Sequence, residues 1–547
     1  MKNPRPLLIL CFLFVCNLQI FSYAQNADVD HAKVDQIFAA YNKPDSPGCA
    51  LGVIRDGEFA YRKAYGSGSL ELGTPLSSRS VFYMGSVSKQ FTAASVVLAQ
   101  EQGYLSLDDD VHKYIPELPD YGRPITLRHL LHHTSGLRDF LTLLSLSGRS
   151  EADLHSSEEM LALIVRQKEL NNIPGDEYIY SNTNYFLLGE VIRRTTKKSL
   201  EKFAAENIFN PLGMTHTRFY DDHSMVIPNR VAAYGPTGNG KFVVDWSTNF
   251  DTVGAGGLMS TVDDLLLWDR NFYSNKLGKG TLLKELQTQG ALNNGKKISY
   301  ALGLEIGTYR GLPIVEHGGA LFGYRSEILR FPEQRFTVLC LCNVANAGPG
   351  NLSRAVADVY LRSELKSEGG EGKSQGGLPD ASRFAGKYLD PRTHNIYSFT
   401  SSDGNLIGWG TRLRRDGPNA FQDLGGNPIH FEETNGTMQA VLELDGERFF
   451  AGGRVRDIHP NETELADFSG AYASAELDAT YHLSVEKGSL WLRIGWNEPV
   501  QLSPIAKDEF DGGDIGTLVF HRDASHRVVE VAVYAGNARD VRLKKTN

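Results

Sequence analysis

Three short motifs follow one another along the chain: Ser86-Val87-Ser88-Lys89, Tyr180-Ser181-Asn182 and His317-Gly318-Gly319. Between them they offer a hydroxyl nucleophile, two groups able to take its proton, a polar amide and a glycine-rich strand edge. These are the parts needed for acyl transfer through a serine ester. No motif is decisive alone. Ser-x-x-Lys occurs at Ser86–Lys89, Ser199–Lys202, Ser363–Lys366 and Ser484–Lys487, and Tyr-x-Asn at Tyr180–Asn182 and Tyr273–Asn275. Order, spacing and local structure decide which copies carry chemistry.

Ser86 follows Gly85 at the start of a helix predicted to run to Gln102, with Val87, Phe91, Ala94 and Leu98 on its apolar face and Gly103 as its stop. Lys89 lies one turn on and shares a face with Ser86. A helix start leaves backbone N–H groups unpaired and carries partial positive charge. That suits a serine whose own N–H can point at a developing oxyanion. The plainer alternative is an N-cap serine with a surface lysine, and the other three tetrads fit it. Tyr180 and Asn182 come after Pro174-Gly175-Asp176-Glu177 and before a helix beginning near Asn184. A tyrosine there can face a cleft, or it can be a core residue beside an N-capping asparagine. With a pKa of ~10, a free tyrosine is only about 0.1% ionised near pH 7. A lysine ammonium within ~4–6 Å favours the phenolate, so Lys89 and Tyr180 read as one coupled base. His317-Gly318-Gly319 ends an apolar strand, Leu312–Val315. Its glycines let a substrate lie against the backbone. The N–H of Ala320 just beyond them can complete an oxyanion hole with that of Ser86. The ordinary alternative is a structural histidine near a strand end.

The chain has 547 residues, which suggests about three domains at ~150 residues each. Lys2 and Arg5 precede an apolar run from Leu7 to Phe21, and Ser22-Tyr23-Ala24 offers a cleavage site after Ala24. Residues 1–24 read as a secretory signal peptide, which implies a periplasmic or extracellular protein. A membrane anchor is the competing reading, but the run is short of the ~20 residues a span needs. No other membrane segment is expected. Hydrophobic residues make up 41% of the chain, enough for real cores. The formal charge of −9, with no basic run, argues against nucleic acid as a partner. Three cysteines follow the leader: Cys49, Cys340 and Cys342. Cys340 and Cys342 point to one face of one strand and do not bridge easily. All three read as small buried hydrophobes rather than disulfide partners. No Cys/His cluster has metal-ligand spacing, so neither metal nor other cofactor is expected. The expected partner is a small-molecule or short-peptide substrate.

Residues 49–65 read as a strand hairpin turning at Gly57, and Thr126 to Gly136 as a short helix with Thr126 as N-cap. Helical patterns recur at 158–170, 184–196, 199–209 and 262–273. Strands return at 300–308, 311–317, 324–331 and 336–343, the last two joined across Pro332-Glu333-Gln334. This order suggests one α/β unit whose sheet joins both ends of the segment. Ser363 to Asp380 then reads as a flexible linker. Beyond it the pattern is all-β, and it repeats. Phe384-Ala-Gly-Lys-Tyr388 matches Phe468-Ser-Gly-Ala-Tyr472. Tyr397-Ser-Phe-Thr matches Tyr481-His-Leu-Ser at the same offset of 84 residues. Two related β units are therefore expected, at 381–460 and 461–547, each a small barrel or closed sandwich.

Taken together, Phe82-Tyr-Met-Gly-Ser-Val-Ser-Lys-Gln-Phe-Thr92, Thr126-Leu-Arg-His-Leu-Leu-His-His-Thr-Ser-Gly-Leu137, Pro174 to Asn182 and Gly254-Ala-Gly-Gly-Leu258 resemble the serine β-lactamase and penicillin-binding-protein superfamily, in its class C-like branch. The resemblance covers residues 30–362. It implies an α/β (α+β) transpeptidase-like fold with an antiparallel sheet and a helical subdomain. It also implies Ser86 as nucleophile, Lys89 and Tyr180 as the proton-transfer pair, and Asn182 as a substrate or lysine partner. The N–H groups of Ser86 and Ala320 would form the oxyanion hole. His317-Gly318-Gly319 departs from the Lys-Thr-Gly of antibiotic-hydrolysing members. A neutral histidine lacks the fixed charge that holds a substrate carboxylate, which weakens the case for β-lactams. The His-x-Gly form resembles the D-aminopeptidase and esterase relatives, and D-aminopeptidases also carry two C-terminal β-barrels. A D-aminopeptidase-like serine hydrolase is the reading adopted. An esterase or weak β-lactam-recognising hydrolase, and a non-catalytic scaffold, stand as alternatives. The tail is expected to shape substrate access rather than supply catalytic groups.

Overall fold

The computed structural model describes residues 31–150, 153–245, 249–366, 380–423, 427–444, 447–456 and 458–546. The proposed leader, and residues 367–379 of the proposed linker, lie outside the described residues. At the centre is a six-stranded sheet. It is built from β1 (Cys49–Arg55), β2 (Glu58–Tyr65), β3 (Glu305–Tyr309), β4 (Leu312–Leu321), β5 (Tyr324–Phe331) and β6 (Phe336–Cys342), in the spatial order β3-β4-β5-β6-β1-β2. Every pairing in it is antiparallel. β1 and β6 are near-continuous apolar runs because both faces are covered. One face packs Leu329, Phe331 and Val338 against Val34 of an N-terminal helix and Val356 of the Pro349–Tyr360 helix. The other packs Ile328, Leu339 and Leu341 into a large core shared with the helical layer, through residues such as Phe91, Leu130, Leu187 and Trp268.

Four helices position the candidate residues: α1 (Ser88–Glu101), α2 (Leu127–Leu131), α3 (Phe140–Leu146) and α4 (Asn182–Thr196). Ser86 itself lies in a single 3₁₀ turn, Gly85–Val87, that runs into α1. α2 starts where expected, since Thr126 accepts from the His129 N–H and the His129 side chain returns the bond, a reciprocal cap. α3 is not anticipated by the sequence patterns. Asp139 caps it through the Thr142 N–H, and its apolar Phe140, Leu143 and Leu144 are buried. The strand expected to end at His317 continues to Leu321, because β5 pairs with it through the glycines.

Two β units follow, as the repeat implies. A nine-stranded antiparallel sheet spans Gly386 to Arg454, and an eight-stranded closed barrel spans Gly470 to Thr546. The repeated Phe-x-x-x-Tyr has one physical job in both. Tyr388 donates to the Phe384 carbonyl at 2.9 Å, and Tyr472 to the Phe468 carbonyl at 2.8 Å, both from fully buried positions. Among the described residues no helix is long and apolar enough to cross a membrane.

The cysteines correct one expectation. Cys340 and Cys342 do not bridge, as argued, but Cys49 bridges Cys342. The two stand directly opposite in the β1–β6 ladder, although 293 residues separate them in sequence. Considering only the two cysteines on one strand hid the cross-strand partner. Cys340 remains a buried thiol, pushed up by its burial.

Candidate active site

The Ser86 turn is forced into place by two glycines. Gly85 has φ +53°, and a Cβ there would meet the Ala320 nitrogen at 2.5 Å. A Cβ on Gly319 would meet the Met84 carbonyl oxygen at 2.1 Å. Only glycine allows the turn and β4 to approach this closely. Ser88 locks the turn from behind. Its Oγ donates to the Gly85 carbonyl at 2.6 Å and accepts from the Leu258 N–H at 3.1 Å.

Around Ser86 the expected partners converge. Tyr180 Oη donates to Ser86 Oγ at 2.8 Å, and Lys89 Nζ lies 3.0 Å from the same oxygen. Lys89 also donates to Asn182 Oδ1 at 2.9 Å and to the Ala255 carbonyl at 2.8 Å. Two of the three bonding directions of Nζ are thus fixed on acceptors, and the third points at the serine. Lys89 is wholly buried. Burial lowers its pKa to about 7, against the opposing pull of the Asp139 carboxylate. Burial also drives the Tyr180 phenol upward, with its hydrogen bond to Ser86 opposing the shift and the nearby Asp139 charge adding to it as smaller influences. The two shifts distinguish members of the pair that the sequence left coupled. Near pH 7 the amine can accept the serine proton, whereas the phenol is a donor.

His317 is 3% exposed and sits beside this cluster with both ring nitrogens occupied. Nδ1 donates to the Gly318 carbonyl at 2.6 Å, so Nε2 accepts from the Tyr300 hydroxyl at 3.0 Å. Burial, then the Lys89 charge, lowers its pKa to about 4, so it is neutral. A cleft opens on Ser86 and is lined by Tyr83, Phe140, Leu141, Asn182, Phe186, Phe250, Val253, Ala320 and Leu321 among others. Asn182 and Ala320 therefore face it, while His317, Gly318 and Gly319 are not among its lining residues. The other serine tetrads are elsewhere: Ser199 caps a short helix through the Lys202 N–H, and Ser484 bonds Glu486 on a barrel strand.

Four contributors escaped the sequence reading. Asp139 accepts the Asn182 N–H and is 2% exposed. As an acidic residue before an apolar run it signalled a helix cap, but nothing local signalled its second partner. The Ala255 carbonyl belongs to a motif noted without a role. His133 packs against Tyr180 in a tilted ring contact with centroids 4.3 Å apart, and its Nδ1 accepts from the Ser181 N–H at 3.1 Å. Burial, reinforced by Lys89, holds it well below the usual histidine range. Tyr300 fills the space between His133 and His317.

This arrangement sits in a chain whose residues 34–361 match the model of the Beta-lactamase family. The chain belongs to that family. It is accordingly a β-lactamase-related serine hydrolase. Its similarity to named relatives runs beyond the matched segment. A D-aminopeptidase from Brucella ovis is 26% identical over 528 residues, covering 91% of this chain and 96% of the relative. Another, from Gluconobacter oxydans, is 27% identical over 443 residues, covering 79% and 80%. Among solved structures, the octameric penicillin-binding protein homologue from Pyrococcus abyssi shares the fold with a TM-score of 0.56 at 20% identity, covering 86% of this chain and 99% of that one.

Proposed function

We propose that this family member is a secreted hydrolase that cleaves amides of D-amino acids through an acyl-enzyme on Ser86. The observation that carries the chemistry is the Lys89 environment. Two N–H groups are committed to Asn182 Oδ1 and the Ala255 carbonyl, and the remaining direction is aimed at Ser86 Oγ. With the pKa lowered to about 7, the neutral amine takes the serine proton as Oγ attacks the substrate carbonyl carbon. The N–H groups of Ser86 and Ala320 receive the oxyanion. Tyr180, hydrogen-bonded to Oγ, delivers a proton to the departing nitrogen, and water then hydrolyses the ester with the same groups acting in reverse. The D-aminopeptidase assignment is supported by one relative that is similar over 91% of this chain and another that is similar over 79% of it, both more than the family segment alone. The Cys49–Cys342 bridge supports secretion, since such bonds persist in oxidising compartments.

One observation favours a second reading, an esterase. Among the described residues the cleft lining contains no charged side chain, so none of them offers a carboxylate to a substrate ammonium. A panel of D- and L-aminoacyl p-nitroanilides, a p-nitrophenyl ester and a chromogenic cephalosporin separates the two. The proposed reading expects kcat/KM for a D-anilide to exceed its L-enantiomer by at least ~10²-fold. Ester turnover without D-anilide turnover would establish the second reading instead.

A further inference from the structure

The side chain of Arg138 is completely enclosed, and most of its partners come from the C-terminal barrel. Nη1 donates to Glu476 Oε2 at 2.7 Å and to Gln167 Oε1 at 3.1 Å. Nε donates to the Arg539 carbonyl at 3.0 Å and Nη2 to the Asp540 carbonyl at 2.8 Å. Glu476 Oε2 also accepts the Lys168 N–H at 3.0 Å, and its carbonyl accepts Gln167 Nε2 at 3.1 Å. A buried ion pair is a weak source of net stability, because desolvation offsets the attraction. What this one does is fix where the barrel meets the helical layer.

The next residue carries the consequence. The Asp139 N–H donates to the Asn537 carbonyl of the barrel at 3.1 Å. Its carboxylate caps α3 and accepts the Asn182 N–H, while Thr183 Oγ1 donates to the Arg138 carbonyl at 2.6 Å. Asn182 Oδ1 in turn accepts from Lys89. A continuous path therefore runs from Glu476 through Arg138, Asp139 and Asn182 to the amine. Asp139 is the acidic group that acts on Lys89. The other groups facing the amine are the rings of Tyr180 and Tyr185, with Nζ 4.7 and 5.8 Å from their centroids, and His133 and His317. Arg138, Asp139 and Glu476 do not line the cleft.

We propose that Glu476, acting through Arg138 and Asp139, is a positioning residue for Lys89, so that the C-terminal barrel completes the Ser86 site rather than only bordering it. The proposal rests on the acyl-enzyme reading of Ser86. It also revises the expectation that the tail governs access alone.

The test uses the full chain: wild type, Glu476→Gln, Asp139→Asn and the double variant. Each is assayed for kcat and KM on an uncharged p-nitrophenyl ester from pH 5 to 9, with circular dichroism to confirm folding. Wild type is first labelled with a fluorophosphonate. Without labelling at Ser86 the acyl-enzyme reading falls and this proposal with it. Given labelling, both single variants should lose at least ~10-fold in kcat with KM within about twofold, because misplacement rather than lost binding is the defect. The acid limb of kcat/KM should move to lower pH in both. Asp139→Asn removes the negative charge facing Lys89, and Glu476→Gln leaves the Arg138 charge to offset it. The double variant should be no worse than the more damaging single. A folded Glu476→Gln protein with wild-type kcat and an unmoved limb overturns the proposal. Should that variant not fold, an Arg138→Met/Glu476→Met pair fills the site with apolar chains of similar length. Wild-type kcat in that folded protein overturns it equally.

Discussion

If Lys89 is the base, the enzyme's dependence on pH follows from one number. Burial sets the lysine pKa at about 7. Below that value the neutral fraction falls tenfold per pH unit, so roughly 1% is available at pH 5, half at pH 7 and about 90% at pH 8. kcat/KM should therefore climb with unit slope from pH 5 to about 6.5 and level off above about 7.5. An ordinary lysine with a pKa of ~10.4 would be only about 0.04% neutral at pH 7, and the climb would continue past pH 9. Neighbouring groups cannot imitate the expected limb. His317 titrates at about 4, His133 well below its usual range, and Tyr180 far above neutrality. The assay should use an uncharged p-nitrophenyl ester, so that no substrate amine titrates in the window, at constant ionic strength and corrected for hydroxide. Lys89→Arg should lose both the activity and the limb, because a guanidinium stays protonated. A profile flat from pH 5 to 8, or one still rising log-linearly at pH 9, would refute the assignment of Lys89 as base.

Tyr180→Phe should lower the acylation rate by at least ~10²-fold, and Lys89→Ala similarly, with the double variant little worse than either single. Full additivity in single-turnover kinetics would contradict a proton path shared through Ser86 Oγ. Removing the Cys49–Cys342 bridge by paired Ser substitution should cost about 2–4 kcal/mol. Urea unfolding with and without reductant checks this, and a wild-type midpoint insensitive to reductant would contradict it. Glu327 is buried on the face of the sheet opposite the site, and burial raises its pKa to about 8, with Glu316 adding to the shift. A group with a raised folded-state pKa stabilises below its unfolded value of ~4.3 and loses that contribution as pH rises through about 8. Glu327→Gln should therefore gain stability relative to wild type between pH 5 and pH 8.5 in thermal unfolding, and a constant difference across that range would count against the shift.

What could be read in advance was local. Motif order singled out Ser86, Lys89 and Tyr180, which the fold brings into contact. The Thr126 cap and the Phe384/Phe468 repeat followed from short-range chemistry that tertiary packing did not override. What stayed hidden depends on residues meeting across long sequence distances. Cys49 finds Cys342 only after the first and last strands of the sheet pair. Arg138 finds Glu476 only after a barrel 338 residues further on docks against the helical layer. Asp139 was legible as a helix cap, but its hold on Asn182 requires α3 and α4 to be packed first. The histidine motif sits where its strand pattern put it, yet the strand runs on and Tyr300 takes up the ring, a contact that no spacing within 317–319 encodes. The charge balance of Lys89 was likewise invisible, since it comes from the burial that α1 and α4 impose together.

In the proposed reaction Ser86 carries the acyl group. Intact-mass spectrometry of the full chain, quenched during turnover of a slow D-aminoacyl ester and followed by peptide mapping, tests it directly. One acyl adduct is expected, confined to the peptide containing Ser86 and absent from a folded Ser86→Ala protein. An adduct on Ser199, Ser363 or Ser484, or full turnover by Ser86→Ala, would contradict it.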